Sequence, residues 1–170
     1  MVDRSQGDTP LVHFSERLTN SAAFGTLFRE GMDLVEETAA YLDGDGRSEA
    51  KALERSVSLT YATESMRLTT RLMQLASWLL LHRAVKEGEM TLTQANREKT
   101  KVKLSAADPG PDEMIEKLPQ QLQDLIARSM NLQSRVRRLD MTIHSPPAER
   151  APIGNPLVPQ LNRLKAAFEQ

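Results

Sequence analysis

Between residues 122 and 143 a series of apolar residues, Leu122, Leu125, Leu132, Val136, Leu139 and Ile143, recurs with Ser129 in the one polar place of the series. Steps of three and four hold throughout, so all seven side chains share one side of an α-helix and could not share one side of a strand. A stripe six turns long has to be buried against other helices, and alternating steps of three and four are the spacing of left-handed bundles. This helix, C, starts near Pro111 or restarts at Pro119, because proline suits a first turn and disrupts an interior.

Two more helices are expected upstream. Helix A spans roughly 15–42, with Phe24, Phe28, Gly31, Val35, Thr38 and Leu42 on one face. Gly31 lies within that seam. Glycine there costs about 1 kcal/mol relative to alanine, which points to close approach of a second helix. Asp43-Gly44-Asp45-Gly46 is turn chemistry. It is not a calcium loop, because Arg47 and Ser48 stand where an EF-hand needs a ligand and a glycine.

Helix B is expected from Ser48 to Glu87, ending at Gly88. Its seam, Leu68, Leu72, Leu75, Leu79 and His82, is flanked by Met66, Met73, Ala76 and Leu80. That face is too wide for one neighbour, so helix B should be the central helix and leave surface for a weak homodimer. Thr91 and Gln94 form a capping box that opens a short helix to about Leu104. The sequence thus predicts an all-α fold, a three-helix bundle with a long central helix and a flexible C-terminal tail. The divisions are a loose N-terminus at 1–13, the bundle at 14–144 and a tail at 145–170.

Composition agrees. Aromatic residues are 4% and charged residues 26%, and the β-branched runs of strands are missing. With no cysteine, disulfides and thiolate metal sites are excluded, and a reducing cytoplasmic location is expected. The first ten residues lack the apolar stretch of a signal peptide. Uncharged runs such as Leu72 to His82 are far below the ~20 residues of a membrane span. A soluble protein without membrane insertion follows.

The net charge of −1 hides a division. Residues 1–46 carry 3 basic and 9 acidic groups, and residues 47–104 carry 11 and 6. An acidic helix A lying against a basic helix B is the simplest reading. Nothing in the overall charge suggests a nucleic-acid partner. On helix C, Arg128, Arg135, Arg137 and Arg138 make a basic stretch, read first as a solvated face, then as a dock for an acidic protein surface, and last as a nucleic-acid contact.

No catalytic motif is present. His13, His82 and His144 lie in three different segments, without the spacing of a metal pair on one helix. There is no nucleophile elbow and no phosphate loop, so no enzyme activity, cofactor or metal is expected. His82 alone raises a competing reading. A histidine phosphotransfer bundle carries one exposed histidine followed by lysine and glycine, and here Lys86 and Gly88 follow His82 at a different spacing.

From Ser145 five prolines forbid continuous helix, after which Leu157, Leu161, Leu164 and Phe168 fall on one helical stripe. A proline-rich spacer followed by an amphipathic peptide suits docking in a partner's groove. Packing back onto the bundle is the alternative.

Three stretches carry a family resemblance: Phe24-Gly25-Thr26-Leu27-Phe28-Arg29-Glu30-Gly31-Met32; Tyr41-Leu42-Asp43-Gly44-Asp45-Gly46-Arg47; and Tyr61-Ala62-Thr63-Glu64-Ser65-Met66-Arg67-Leu68-Thr69-Thr70-Arg71-Leu72-Met73, running on to Ser77-Trp78-Leu79-Leu80. Arg83-Ala84-Val85 and Gly88-Glu89-Met90-Thr91 extend it. The chain resembles the alphaproteobacterial family of the regulator of CtrA degradation. The resemblance implies a three-helix bundle serving as a non-catalytic adaptor for the ClpXP protease. Such adaptors tether regulatory cargo such as the transcription regulator CtrA to a ClpX primed by a response-regulator-like adaptor. They also work with a cyclic-di-GMP-binding partner, and recruitment to the cell pole is implied. No residue-level binding motif is carried over from the family.

Overall fold

A computed structural model describes residues 21–99, 101 and 111–144. These form six helices: α1 (Ala22–Asp43), α2 (Asp45–Ala52), α3 (Arg55–Lys86), α4 (Leu92–Lys99), α5 (Asp112–Ile115) and α6 (Gln120–His144). Among the described residues there is no strand, so the expected all-helical class holds. The stripe of 157–168 and the first residues assigned to helix A lie outside them.

Local chemistry sets most helix ends. Ser21 caps α1 by accepting a hydrogen bond from the Phe24 amide at 3.2 Å. Thr91 and Gln94 cap α4 reciprocally: the Thr91 amide donates to Gln94 Oε1 at 2.9 Å, and the Gln94 amide to Thr91 Oγ1 at 3.2 Å. Gly88 ends α3 at φ +75°, the left-handed conformation that glycine alone adopts freely. Bonds from Gly88 to the Val85 carbonyl and from Glu89 to the Ala84 carbonyl complete a Schellman motif.

Helix B departs from expectation. It divides into α2 and α3 at Leu53 and Glu54, both extended. No helix breaker stands there. Tertiary packing holds α2 across the ends of α1 and α3: Tyr41 Oη donates to Glu49 Oε2 at 2.6 Å. At Gly46 a Cβ would lie 2.8 Å from the Tyr41 carbonyl oxygen and 2.6 Å from Tyr61 Oη. Only glycine fits between these tyrosines. The acidic turn therefore shrinks to Gly44, and α2 begins at Asp45.

Long α3 is the hub and packs on every other helix. Its expected seam, Leu68, Leu72, Leu75, Leu79 and His82, is buried. The α6 seam is buried too, with Leu139 partly so. On α1 the buried line is Phe24, Leu27, Gly31, Leu34, Thr38 and Tyr41. Phe28, Val35 and Leu42 of the expected line sit at its edge, still packed on the core. The observed line steps by three and four in strict alternation, which keeps it facing two neighbours along its length. Pairings of 30 with 135 and 37 with 128 make α1 antiparallel to α6. Pairings of 71 with 129 and 78 with 140 make α3 parallel to α6.

Acidic α1 lies against α3, as expected, and its glutamates also pair with the arginines of α6, through Arg128–Glu37 at 2.8 Å and Arg135–Glu30 at 2.7 Å.

Candidate protein-binding surface

Four large apolar side chains of α3 remain in solvent: Leu59 at 71% exposure, Met66 at 72%, Met73 at 66% and Leu80 at 52%. They recur every seven residues, which places them in one straight row on the side of α3 turned away from its buried seam. Ala62, Thr63, Thr69, Thr70, Ala76, Ser77 and Ala84 fill the positions three and four residues on, so the row carries no charge from 59 to 82. Heptad spacing with small neighbours is the form a helix takes when another helix packs along it. Met is unbranched and adapts to irregular partners. The row ends in a shallow groove between α3 and α4, lined by Ser77, Leu80, Leu81, Ala84, Glu98 and Lys101. The flanking positions of helix B, Met66, Met73 and Leu80, carried this surface in the sequence. Leu59, one heptad earlier, was not singled out from the sequence.

The four arginines of α6 do not share one environment. Arg128 and Arg135, seven apart, turn toward α1 and its glutamates. Arg138 is exposed, while Arg137 is half-buried and engaged within the chain. Exposed pairs such as Arg128–Glu37 stabilise by only about 0–1 kcal/mol. Leu157, Leu161, Leu164 and Phe168 lie outside the described residues.

Buried polar groups form two further clusters, and periodicity showed neither. Arg71, 4% exposed, donates from Nη1 to Ser129 Oγ at 2.8 Å. Glu64 is buried two turns before it and pairs with Arg67 at 2.6 Å. Burial lowers the Arg71 pKa, and the nearby Glu64 carboxylate opposes that shift.

The second cluster closes the far end of the helices. Trp78 Nε1 donates to Asp140 Oδ1 at 2.8 Å, and Lys99 Nζ to Asp140 Oδ2 at 2.6 Å. The His82 ring stacks on Trp78 with centroids 3.9 Å apart. Its Nδ1 lies 2.9 Å from the Trp78 carbonyl oxygen and its Nε2 3.4 Å from His144 Nε2. Burial pushes the His82 pKa down to about 4, against the opposing pull of the Trp78 carbonyl and Asp140. The His144 pKa is also lowered, by burial and then by Lys99. At 1% exposure His82 is a core residue. A phosphotransfer histidine has to meet a phosphoryl donor in solvent, so that reading is overturned.

The family model described as "Protein of unknown function (DUF1465)" matches residues 15–168. None of the curated proteins matches the chain. Among solved structures, the crystal structure of RcdA from Caulobacter crescentus CB15 is similar at 50% identity with a TM-score of 0.62, covering 75% of this chain and 96% of that one. On the family match and that identity, the chain belongs to the RcdA family.

Proposed function

We propose that this chain is a non-catalytic adaptor that brings regulatory proteins, such as a CtrA-like transcription regulator, to a primed ClpXP protease. The observation that carries the reading is the uncharged row of Leu59, Met66, Met73 and Leu80 on a helix otherwise locked into the core. A large exposed apolar row on a rigid helix is a binding surface, and an adaptor needs surfaces rather than chemistry. Its gain comes from effective concentration. Membership of the RcdA family supports the same reading.

In this scheme α1, α3 and α6 act as a three-helix bundle. The row on α3 takes helical partners, including a second copy of the chain in a weak homodimer. The basic stretch at Arg128, Arg135, Arg137 and Arg138 meets acidic protein surfaces, and the stripe Leu157, Leu161, Leu164 and Phe168 docks as a tethered peptide. The remaining partners are a response-regulator-like priming adaptor and a cyclic-di-GMP-binding protein. Nucleic acid has no part in it. No described helix is long and apolar enough to cross a membrane. The scheme places the chain in the cytoplasm, recruited to a cell pole.

Degradation of cargo by reconstituted ClpXP, with the priming adaptor present, tests this. The full chain should accelerate degradation, and Leu161→Ala with Leu164→Ala should slow it without changing the thermal melt of the bundle. Equal rates with and without the chain would refute the adaptor function.

A further inference from the structure

Although no two histidines stand at metal-pair spacing in the sequence, the fold brings His82 of α3 to Asp140 and His144 of α6. His82 Nε2, His144 Nε2 and an Asp140 carboxylate oxygen all lie within 4.8 Å of one another. We infer that these three side chains form a site for a divalent transition-metal ion of the zinc type, tying the last turn of α6 to α3.

The geometry is that of ligands rather than of hydrogen-bond partners. His82 Nε2 to His144 Nε2 is 3.4 Å, and His144 Nε2 to Asp140 Oδ1 is 3.3 Å. Both are long for hydrogen bonds between such groups. Ligand bonds of about 2.0–2.1 Å at the tetrahedral angle place neighbouring donor atoms about 3.3–3.4 Å apart. Asp140 and His144 are one helical turn apart and face the same way.

Proton counting leads to the same place. Neutral His82 donates Nδ1–H to the Trp78 carbonyl, so its Nε2 presents a lone pair. Asp140 Oδ1 is an acceptor already oriented by the Trp78 indole N–H. His144 Nε2 faces both. If it carries the proton, it reaches either acceptor only at long range, and its buried Nδ1 has no partner among the described residues. If it does not, three lone pairs converge on one point. A cation at their centre satisfies all three.

The outer contacts are those of metal sites. A ligating histidine usually donates its other N–H to a backbone carbonyl, and a ligating carboxylate is itself hydrogen-bonded. His82 and Asp140 meet both conditions, whereas the Nδ1–H of a ligating His144 has no acceptor among the described residues. Two imidazoles and one carboxylate suit zinc over magnesium or calcium. Asp140 and His144 are partly exposed, which leaves a fourth position for water. The Lys99 ammonium, 2.6 Å from Asp140 Oδ2, weakens the affinity without occupying a ligand atom. His144 ends α6, so the ion would fix the point from which residues 145–170 depart.

The full chain, stripped with a chelator and titrated with Co²⁺, gives the test. Intense visible absorption from a near-tetrahedral centre should grow to one equivalent. In parallel the fluorescence of Trp78, the single tryptophan, should be quenched. Zn²⁺ should reverse both signals and raise the melting temperature. His144→Gln should weaken binding about tenfold or more and remove the rise in melting temperature while the metal-free melt persists. Lys99→Met, which leaves all three ligands in place, should tighten Co²⁺ binding severalfold, a result a purely structural cluster would not give. Absence of the Co²⁺ spectrum in the wild-type chain overturns the site, as does unchanged affinity in Lys99→Met or in folded His144→Gln.

Discussion

Gly31 of α1 lies so close to Leu79 of α3 that a Cβ at position 31 would sit 2.5 Å from Leu79 Cδ1. Leu79 is fully buried, and Leu132 Cδ2 of α6 would stand 3.6 Å from the same Cβ. The methyl has nowhere to go, so overpacking of about 1–3 kcal/mol should outweigh the gain in helix propensity of about 1 kcal/mol. Gly31→Ala is therefore expected to lower the denaturation midpoint. Gly25→Ala, in the same helix with nothing within 4 Å, should raise it. Chemical denaturation of the two variants side by side checks the pair.

The buried guanidinium of Arg71 depends on Ser129. Ser129→Ala removes the acceptor at 2.8 Å and leaves a donor of a charged group unsatisfied in the core. A loss of about 1–3 kcal/mol is expected, measured by urea unfolding with the slope unchanged. Thr142→Ala, at an exposed site where the hydroxyl bonds only its own helix backbone, should stay within about 0.5 kcal/mol.

The row on α3 should govern association without governing stability. Met66→Glu combined with Met73→Glu places charge at positions already in solvent, so the thermal melt should hardly move. Sedimentation of the wild-type chain should show mass rising with concentration, and the double variant should remain monomeric. A wild-type chain that stays monomeric at high micromolar concentration would remove the proposed homodimer.

Both tyrosines of the chain, Tyr41 and Tyr61, are buried around Gly46. Burial raises both phenol pKa values above the ordinary 10.0; at Tyr41 the Glu49 carboxylate adds to the rise, while at Tyr61 the nearby Tyr41 and Ser65 hydroxyls partly offset it. A raised folded-state pKa means that the folded chain holds the proton more tightly than the unfolded chain. Stability is therefore full below about pH 10 and falls as pH rises toward the folded values, by about 1.4 kcal/mol per pH unit for each tyrosine. With no other tyrosine present, tyrosinate absorbance should appear together with loss of helical circular dichroism rather than before it.

The sequence by itself determined which segments are helices and which side most of them bury. The seams of α3 and α6, the Thr91–Gln94 box and the Gly88 stop arise from contacts within a few residues, so their information is local. It also marked Gly31 as a place of close approach, and Met66, Met73 and Leu80 as surplus apolar surface. Tertiary structure alone decided the rest. The break at Leu53 and Glu54 contains no breaking residue; it follows from Tyr41, Glu49, Gly46 and Tyr61 meeting across three helices. Glu64 and Arg71 read as surface charges until α6 covers them. Trp78, His82, Asp140 and His144 join pairs 62 residues apart in the chain, and Lys99 reaches them from a third helix, α4. Helical periodicity fixes the direction of a side chain about its own axis. Which group meets it there depends on the register and direction of the neighbouring helix, and these are set by packing of the whole core.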